Sequence, residues 1–217
     1  MSSLKFFKES NMKKILFSIL AITLMSDANM RGAIYSETFN SGGSIGIIPD
    51  GSPIGATFRG VISDIPGGVT VAGLTVGLQL SGGYNGNLYA YLVSPNGSMV
   101  VLMNQPGTAI NSFGAGGAGM NITLSDSSGN NLQNEIGGGI LSGTYHAAGS
   151  LANFNGTPAA GTWTLFFSDL TSGGGTSTVS SWSLDVTAVP EPIEMALGAF
   201  MASFILIKIL RLRAVRD

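Results

Sequence analysis

The sequence predicts an all-β domain, an antiparallel two-sheet β-sandwich, with an N-terminal signal segment before it and a C-terminal transmembrane helix after it. Three observations predict the sandwich. Turn dipeptides recur at Asn85-Gly86, Asn96-Gly97 and Asn155-Gly156, and Asn-Gly readily supplies the positive φ of a tight hairpin. Between turns the apolar residues alternate. Leu74, Val76, Leu78 and Leu80 share one face, Trp163, Leu165 and Phe167 another, and Trp182, Leu184 and Val186 a third. A period of two marks a strand with one buried side. No stretch of the middle longer than about eight residues keeps a helical period. The segment 29–188, about 160 residues, is long enough to bury one full core between two sheets.

The first element is 1–28. Lys5, Lys8, Lys13 and Lys14 form a basic region ahead of the apolar stretch Ile15 to Met25. That stretch is 11 residues long, short for a bilayer span and right for the core of a signal peptide. Ser26-Asp27-Ala28 sets small residues at both positions that signal peptidase reads, so cleavage after Ala28 is expected.

The second element is the domain 29–188. Charged residues make up 10% of the chain and Gly contributes 32 residues, too apolar for disorder and too Gly-rich for a helical protein. Of ten Lys and Arg, four precede residue 15 and four follow residue 207, leaving only Arg31 and Arg59 between. Against them, from Asn29 to Pro192, stand Glu37, Asp50, Asp64, Asp126, Glu135, Asp169, Asp185 and Glu191. A weakly acidic surface without a basic patch excludes nucleic acid as a partner, since that binding rests on phosphate neutralisation. The chain has no Cys, which removes disulfides, thiol nucleophiles and cysteine metal sites. Val69 and Val71 have the opposite parity to Leu74, so a change of phase, a bulge, is expected near Ala72-Gly73. Residues 107–149 are Gly-rich and read as a long loop with one strand around Met120 to Leu124.

Candidate chemistry in this domain is sparse. The single histidine, His146, lies in Thr144-Tyr145-His146-Ala147 between Gly-rich stretches. It reads as a solvent-exposed loop residue, because a general base needs a nucleophile and a positioned partner within hydrogen-bond reach. Gly42-Gly43-Ser44-Ile45-Gly46 fits G-x-S-x-G, but no helix follows to make a nucleophile elbow. Gly114-Ala115-Gly116-Gly117-Ala118-Gly119 fits G-x-G-x-x-G without a βαβ unit around it. Both are chance matches in a Gly- and Ser-rich chain. Asp126-Ser127-Ser128-Gly129-Asn130-Asn131 and Asp169 place oxygen donors in turns, the ligand type of a hard cation. Asp126 and Asp169 are therefore the calcium candidates. The same residue types form turns without a metal, and no cofactor is assigned. One His and no Cys build no transition-metal cluster. Tyr84, Tyr89 and Tyr91 gather near one strand. They either offer sugars an apolar contact surface or pack inside the sandwich, the preferred reading.

The third element is 189–217. Met195 to Ile207 is a run of 13 uncharged residues, and Lys208 to Leu210 extend it to 16. At 1.5 Å per residue that is roughly 24 Å of helix against a hydrocarbon core of about 30 Å. The transmembrane segment is placed at about 193–212, with Lys208 snorkelling and Arg211, Arg213 and Arg216 on the cytoplasmic side. Ahead of it, Pro190 and Pro192 flank Glu191. Proline fixes φ and lacks an N–H, which keeps the joint extended.

Two resemblances follow from these residues. Val189-Pro190-Glu191-Pro192, the apolar span, and Arg211 and Arg213 resemble the PEP-CTERM sorting signal of exopolysaccharide-producing bacteria over the last 29 residues. This implies recognition by a membrane protease, the exosortase, which removes the tail. The second rests on Ile48-Pro49-Asp50, on Asn87-Leu88-Tyr89-Ala90-Tyr91-Leu92-Val93-Ser94-Pro95-Asn96-Gly97-Ser98, on Gly161-Thr162-Trp163-Thr164-Leu165 with Ser168-Asp169, and on Ser181-Trp182-Ser183-Leu184. These resemble the P domain (P/Homo B domain) of subtilisin-like proprotein convertases over 45–187. In that family a His precedes a Gly-Asp-Leu in the middle strand. Here Ser81 to Leu88 has no His, and Asn87 stands for the Asp.

The P-domain resemblance implies a jelly-roll-like sandwich that accompanies a protease without doing its chemistry. Together the readings describe an exported, non-catalytic module. It passes through an inner-membrane-tethered intermediate to the cell surface or extracellular matrix and binds polysaccharide or protein. Its expected partners are signal peptidase, an exosortase-type protease, exopolysaccharide or a surface protein, and the membrane through the C-terminal helix. The alternative is a P domain that stabilises or targets a serine endopeptidase in trans.

Overall fold

The computed structural model describes residues 33–40, 46–190, 198, 200–205 and 207–208. The expected signal segment with Ala28, the residues Glu191, Pro192, Arg211 and Arg213, and most of the G-x-S-x-G match lie outside the described residues.

The strands run in the order β1 (Ala33–Asn40), β2 (Gly46–Ile48), β3 (Ser52–Ile62), β4 (Val69–Gly82), β5 (Leu88–Val93), β6 (Met99–Asn104), β7 (Met120–Leu124), β8 (Leu141–Tyr145), β9 (Gly161–Asp169) and β10 (Ser177–Pro190). They form two sheets. The larger is ordered β1-β10-β4-β7-β8, with β2 also paired to β10, and the smaller is β3-β9-β5-β6. Ala33–Ala188 is one compact unit, and Ala33 and Ala188 are register partners. The unit therefore begins and ends at the same end of the sandwich.

The alternating faces pack as their parity requires. Leu74, Val76, Leu78 and Leu80 of β4, Trp163, Leu165 and Phe167 of β9, and Trp182, Leu184 and Val186 of β10 are all buried in one core. Phe154 meets Trp163 edge to face, with ring centroids 5.2 Å apart, and the Trp163 indole N–H donates to the Ala159 carbonyl at 3.1 Å. Burying three strand faces together removes most of their apolar side-chain area from water, at about 25 cal/mol per Å².

Burial changes phase in β4 between Val71 and Leu74, both buried. The switch coincides with a change of partner. Val71 exchanges hydrogen bonds with Thr157 and Gly156, whereas Val76 to Leu80 pair with β7.

Three readings need correction. β7 and β8 are parallel, so the sandwich is not antiparallel throughout. The chain returns through residues 125–140, the kind of crossover that parallel neighbours need. The stretch 107–149 holds two strands, because β8 repeats the β7 pattern too weakly to be seen; only its first residue, Leu141, is buried. Of the three Asn-Gly dipeptides only Asn96-Gly97 closes a hairpin, between β5 and β6, with Gly97 at φ +88°. Asn85-Gly86 lies in a buried 3-10 helix, and Asn155-Gly156 follows another, Leu151–Phe154. Among the described residues no helix is long and apolar enough to cross a membrane, and most of the expected segment 193–212 lies outside them. In the segment 193–212, residues 198, 200–205 and 207–208 are helical, and Phe200 and Phe204 meet edge to face one turn apart.

Candidate functional site

β5 inserts Leu88, Ala90 and Leu92 into the core. A strand alternates its side chains, so Tyr89, Tyr91 and Val93 stand on the outward face of the smaller sheet. Register places Tyr91 opposite Phe166 of β9, and the two rings stack with centroids 4.7 Å apart and planes 17° from parallel. Tyr89 meets Tyr91 at 6.1 Å in an edge arrangement. Gly55 of β3 (φ +61°) brings its backbone close to Phe166, since a Cβ there would fall 2.7 Å from the ring. Along the same face Arg59 pairs with Thr164 in register and is exposed. The result is a half-exposed aromatic ledge with hydroxyls and a cation beside it.

Tyr89 and Tyr91 thus do not pack inside the sandwich, because the inward parity belongs to smaller aliphatic residues. Tyr84 is separate from the ledge. It is half-buried in the loop before β5, where its Cβ lies 2.6 Å from the position that a Cβ on Gly174 would take. Phe166 escaped the sequence reading, although a signal existed. Phe166-Phe167 is an adjacent pair in an alternating strand, so one of the two rings faces out.

A second cluster surrounds His146. This residue is half-buried at the end of β8, not loose in a loop. It bridges to Asn131, and its N–H donates to the Asn130 carbonyl. His146 Nε2 lies 3.8 Å from Asp126 Oδ1, and Ser150 Oγ donates to Asp126 Oδ2 at 2.7 Å. A Ser, a His and an Asp are therefore together, but the carboxylate sits between the other two. A nucleophile is activated when the imidazole takes its proton, and here the Ser150 hydroxyl points at the acid. Asp126 also accepts from the N–H groups of Leu151 at 2.9 Å and Ala152 at 2.8 Å. It caps the 3-10 helix Leu151–Phe154. Burial raises the Asp126 pKa, but the bonds from Ser150, Leu151 and Ala152 and the nearby His146 outweigh it and hold the carboxyl below its ordinary range. Both oxygens of this calcium candidate are occupied by N–H or O–H donors.

The other candidate is fully buried. Asp169 ends the inward-facing row of β9 and accepts from the Thr171 N–H at 3.1 Å. The G-x-G-x-x-G match, Gly114 to Gly119, lies in the loop between β6 and β7. Its glycines allow close backbone approach, not phosphate binding: a Cβ on Gly117 would fall 2.0 Å from the Gly139 carbonyl oxygen. Val189 and Pro190 of the sorting motif are the last residues of β10, so the strand runs into the motif.

Comparison with known proteins gives one family and several distant folds. The family model of the proprotein convertase P-domain matches residues 71–186, more than half of the 217-residue chain. No curated protein matches. Among solved structures, the serine protease of Aeromonas sobria is similar at 17% identity and a TM-score of 0.44, over 71% of this chain and 27% of that one. The same protease in complex with its chaperone gives 16% and 0.46, over 79% and 29%. FLHE gives 14% and 0.38, over 74% and 99%. The chain thus spans under a third of the length of the Aeromonas protease chains it matches.

Proposed function

The chain belongs to the proprotein convertase P-domain family, and from that premise we propose that it is an exported, non-catalytic binding module. Its ledge of Tyr89, Tyr91 and Phe166 engages polysaccharide or a surface protein. The stacked outward pair Tyr91–Phe166 carries this reading. Flat aromatic faces with neighbouring hydroxyls suit sugar rings, whose C–H faces stack while their hydroxyls find partners. The arrangement at His146 supports a binding role over hydrolysis, because Ser150 is wired to the acid and not to the base.

The address is part of the proposal. A signal peptide cut after Ala28 and a Val189-Pro190-Glu191-Pro192 motif with Arg211 and Arg213 behind it would send the module to the cell surface or matrix. Signal peptidase and an exosortase-type protease would process it. Retention of the protein on exopolysaccharide columns and on cells of its host tests the binding. Retention on neither sinks it. Mass spectrometry of the mature protein tests the address: an end near Pro192 means sorting, and an intact end at Asp217 means an uncut tail.

The family match favours one other reading. A P domain would stabilise a serine endopeptidase in trans. Deleting the protein would then shorten the lifetime of a partner protease, and an unchanged lifetime excludes it.

A further inference from the structure

Opposite the end where Ala33 meets Ala188, the core is closed by oxygen atoms. The inward row of β9 runs Trp163, Leu165, Phe167 and then Asp169, each at 0% exposure. Asn85, Asn87 and Ser177 are buried at the same end. The loop before β5 ties them together. Leu170 N–H donates to the Asn87 carbonyl at 2.9 Å, Asn87 Nδ2 donates to the Thr171 carbonyl at 2.8 Å, and a Cβ on Gly83 would fall 1.8 Å from Ser177 Oγ.

Four buried side-chain oxygens lack a partner among the described residues, and three belong here: Asn85 Oδ1, Asp169 Oδ2 and Ser177 Oγ. Among the described residues Asp169 is the only buried acid. A buried water can satisfy a neutral acceptor, but it leaves a buried carboxylate without a counter-charge, which is costly. Beyond the backbone N–H groups of Thr171 and Gly51, the protein supplies little to offset it. Between Lys14 and Lys208 the chain carries only Arg31 and Arg59, and Arg59 is on the outer sheet face with Thr164. A second carboxylate stands close instead. Asp50 Oδ2 accepts from the Gly173 N–H at 3.2 Å, while Asp169 Oδ1 accepts from Thr171 two residues before. Loop 170–173 is pinned between the two acids.

We propose that this end of the sandwich binds a calcium ion, with Asp169 Oδ2 as the buried ligand, Asp50 on the solvent side, and neutral oxygens and water completing the shell. The donor set is all oxygen, lacks His and Cys, and comes from irregular loops, which suits calcium over magnesium or a transition metal. No three His, Cys, Asp or Glu side chains gather among the described residues. Two carboxylates make a low-charge site, so the expected Kd is about 10⁻⁴ M, in the range of extracellular modules.

The test is thermal unfolding of the full chain in EDTA and in calcium, with terbium luminescence sensitised by nearby aromatic rings as a direct readout. Calcium at about 100 times the Kd should raise the Tm of the wild type by roughly 5–10 °C, with a smaller shift in magnesium, and should displace terbium. Asp169→Asn should abolish the shift. Asp50→Asn, an exposed change that leaves the core intact, should raise the half-saturating calcium concentration about tenfold. A wild type that shows neither a Tm shift in 10 mM calcium, about 100 times the expected Kd, nor a terbium signal overturns the proposal. So does an unchanged calcium response in a folded Asp169→Asn or in Asp50→Asn. If Asp169→Asn fails to fold, the wild-type and Asp50→Asn responses decide.

Discussion

Tyr91 lies flat on Phe166 across the β5–β9 register, on the face of the smaller sheet turned away from the core. Stacked rings are ordinary inside a protein. Half-exposed on a sheet surface, they hold apolar area in water that a ligand can cover. Replacing both with Ala should leave the fold intact, costing about 1–2 kcal/mol for the lost pair. Binding to polysaccharide or to the surface partner should fall at least tenfold, as measured by affinity electrophoresis or calorimetry.

Asp126→Ala removes the acceptor for Ser150, Leu151 and Ala152. Loss of such a cap costs about 1–2 kcal/mol, so the urea midpoint should fall with an unchanged slope. His146→Ala should shift the midpoint much less, because the ring sits 3.8 Å from Asp126 and its Nδ1 bonds only to the neighbouring Ala147 carbonyl.

The two buried-side acids should push acid stability in opposite directions. The Asp126 pKa is lowered in the fold. Its contribution is present above the unfolded-state pKa and is lost as pH falls through the folded value. The Asp169 pKa is raised, first by burial and further by Asp50, against the bonds from Thr171 and Gly51. In the metal-free protein the folded state therefore holds that proton more tightly. Its penalty is absent below the unfolded-state pKa and grows as pH rises through the folded one. In EDTA, Asp169→Asn should raise the urea midpoint at pH 7, and Asp126→Asn should lower it. Each difference should shrink toward pH 3.

Gly55→Ala probes the support beneath the ledge. Gly55 has φ +61°, and a Cβ there would fall 2.1 Å from the Phe167 carbonyl oxygen and 2.7 Å from the Phe166 ring. Backbone strain and the clash together should cost about 2–3 kcal/mol. A Tm within 1 °C of wild type, far below the several degrees that such a cost implies, would contradict the close approach.

Much of the framework was legible in the chain. The inward faces of β4, β9 and β10 follow from the simple alternation of Leu74 to Leu80, Trp163 to Phe167 and Trp182 to Val186. Met120 to Leu124 was placed as a strand by the same rule, and the phase change before Leu74 followed from parity. β8 was not legible, since Leu-Ser-Gly-Thr-Tyr carries one strong apolar residue. Nor was the use of Asn85-Gly86 as a buried 3-10 segment, because a turn dipeptide does not state which sheet edge its amide will meet.

The sequence alone determined the class of the domain, its family resemblance and the inward side of each well-patterned strand, because alternation and turn chemistry are local. Only the tertiary structure decided the rest. It set Tyr91 on Phe166, 75 positions apart in sequence. It turned Ser150 toward Asp126 instead of His146, and it ended the inward row of β9 on a carboxylate with an unpartnered oxygen. Each of these depends on the register between strands distant in the chain, and register is fixed by which faces bury together, not by any one segment.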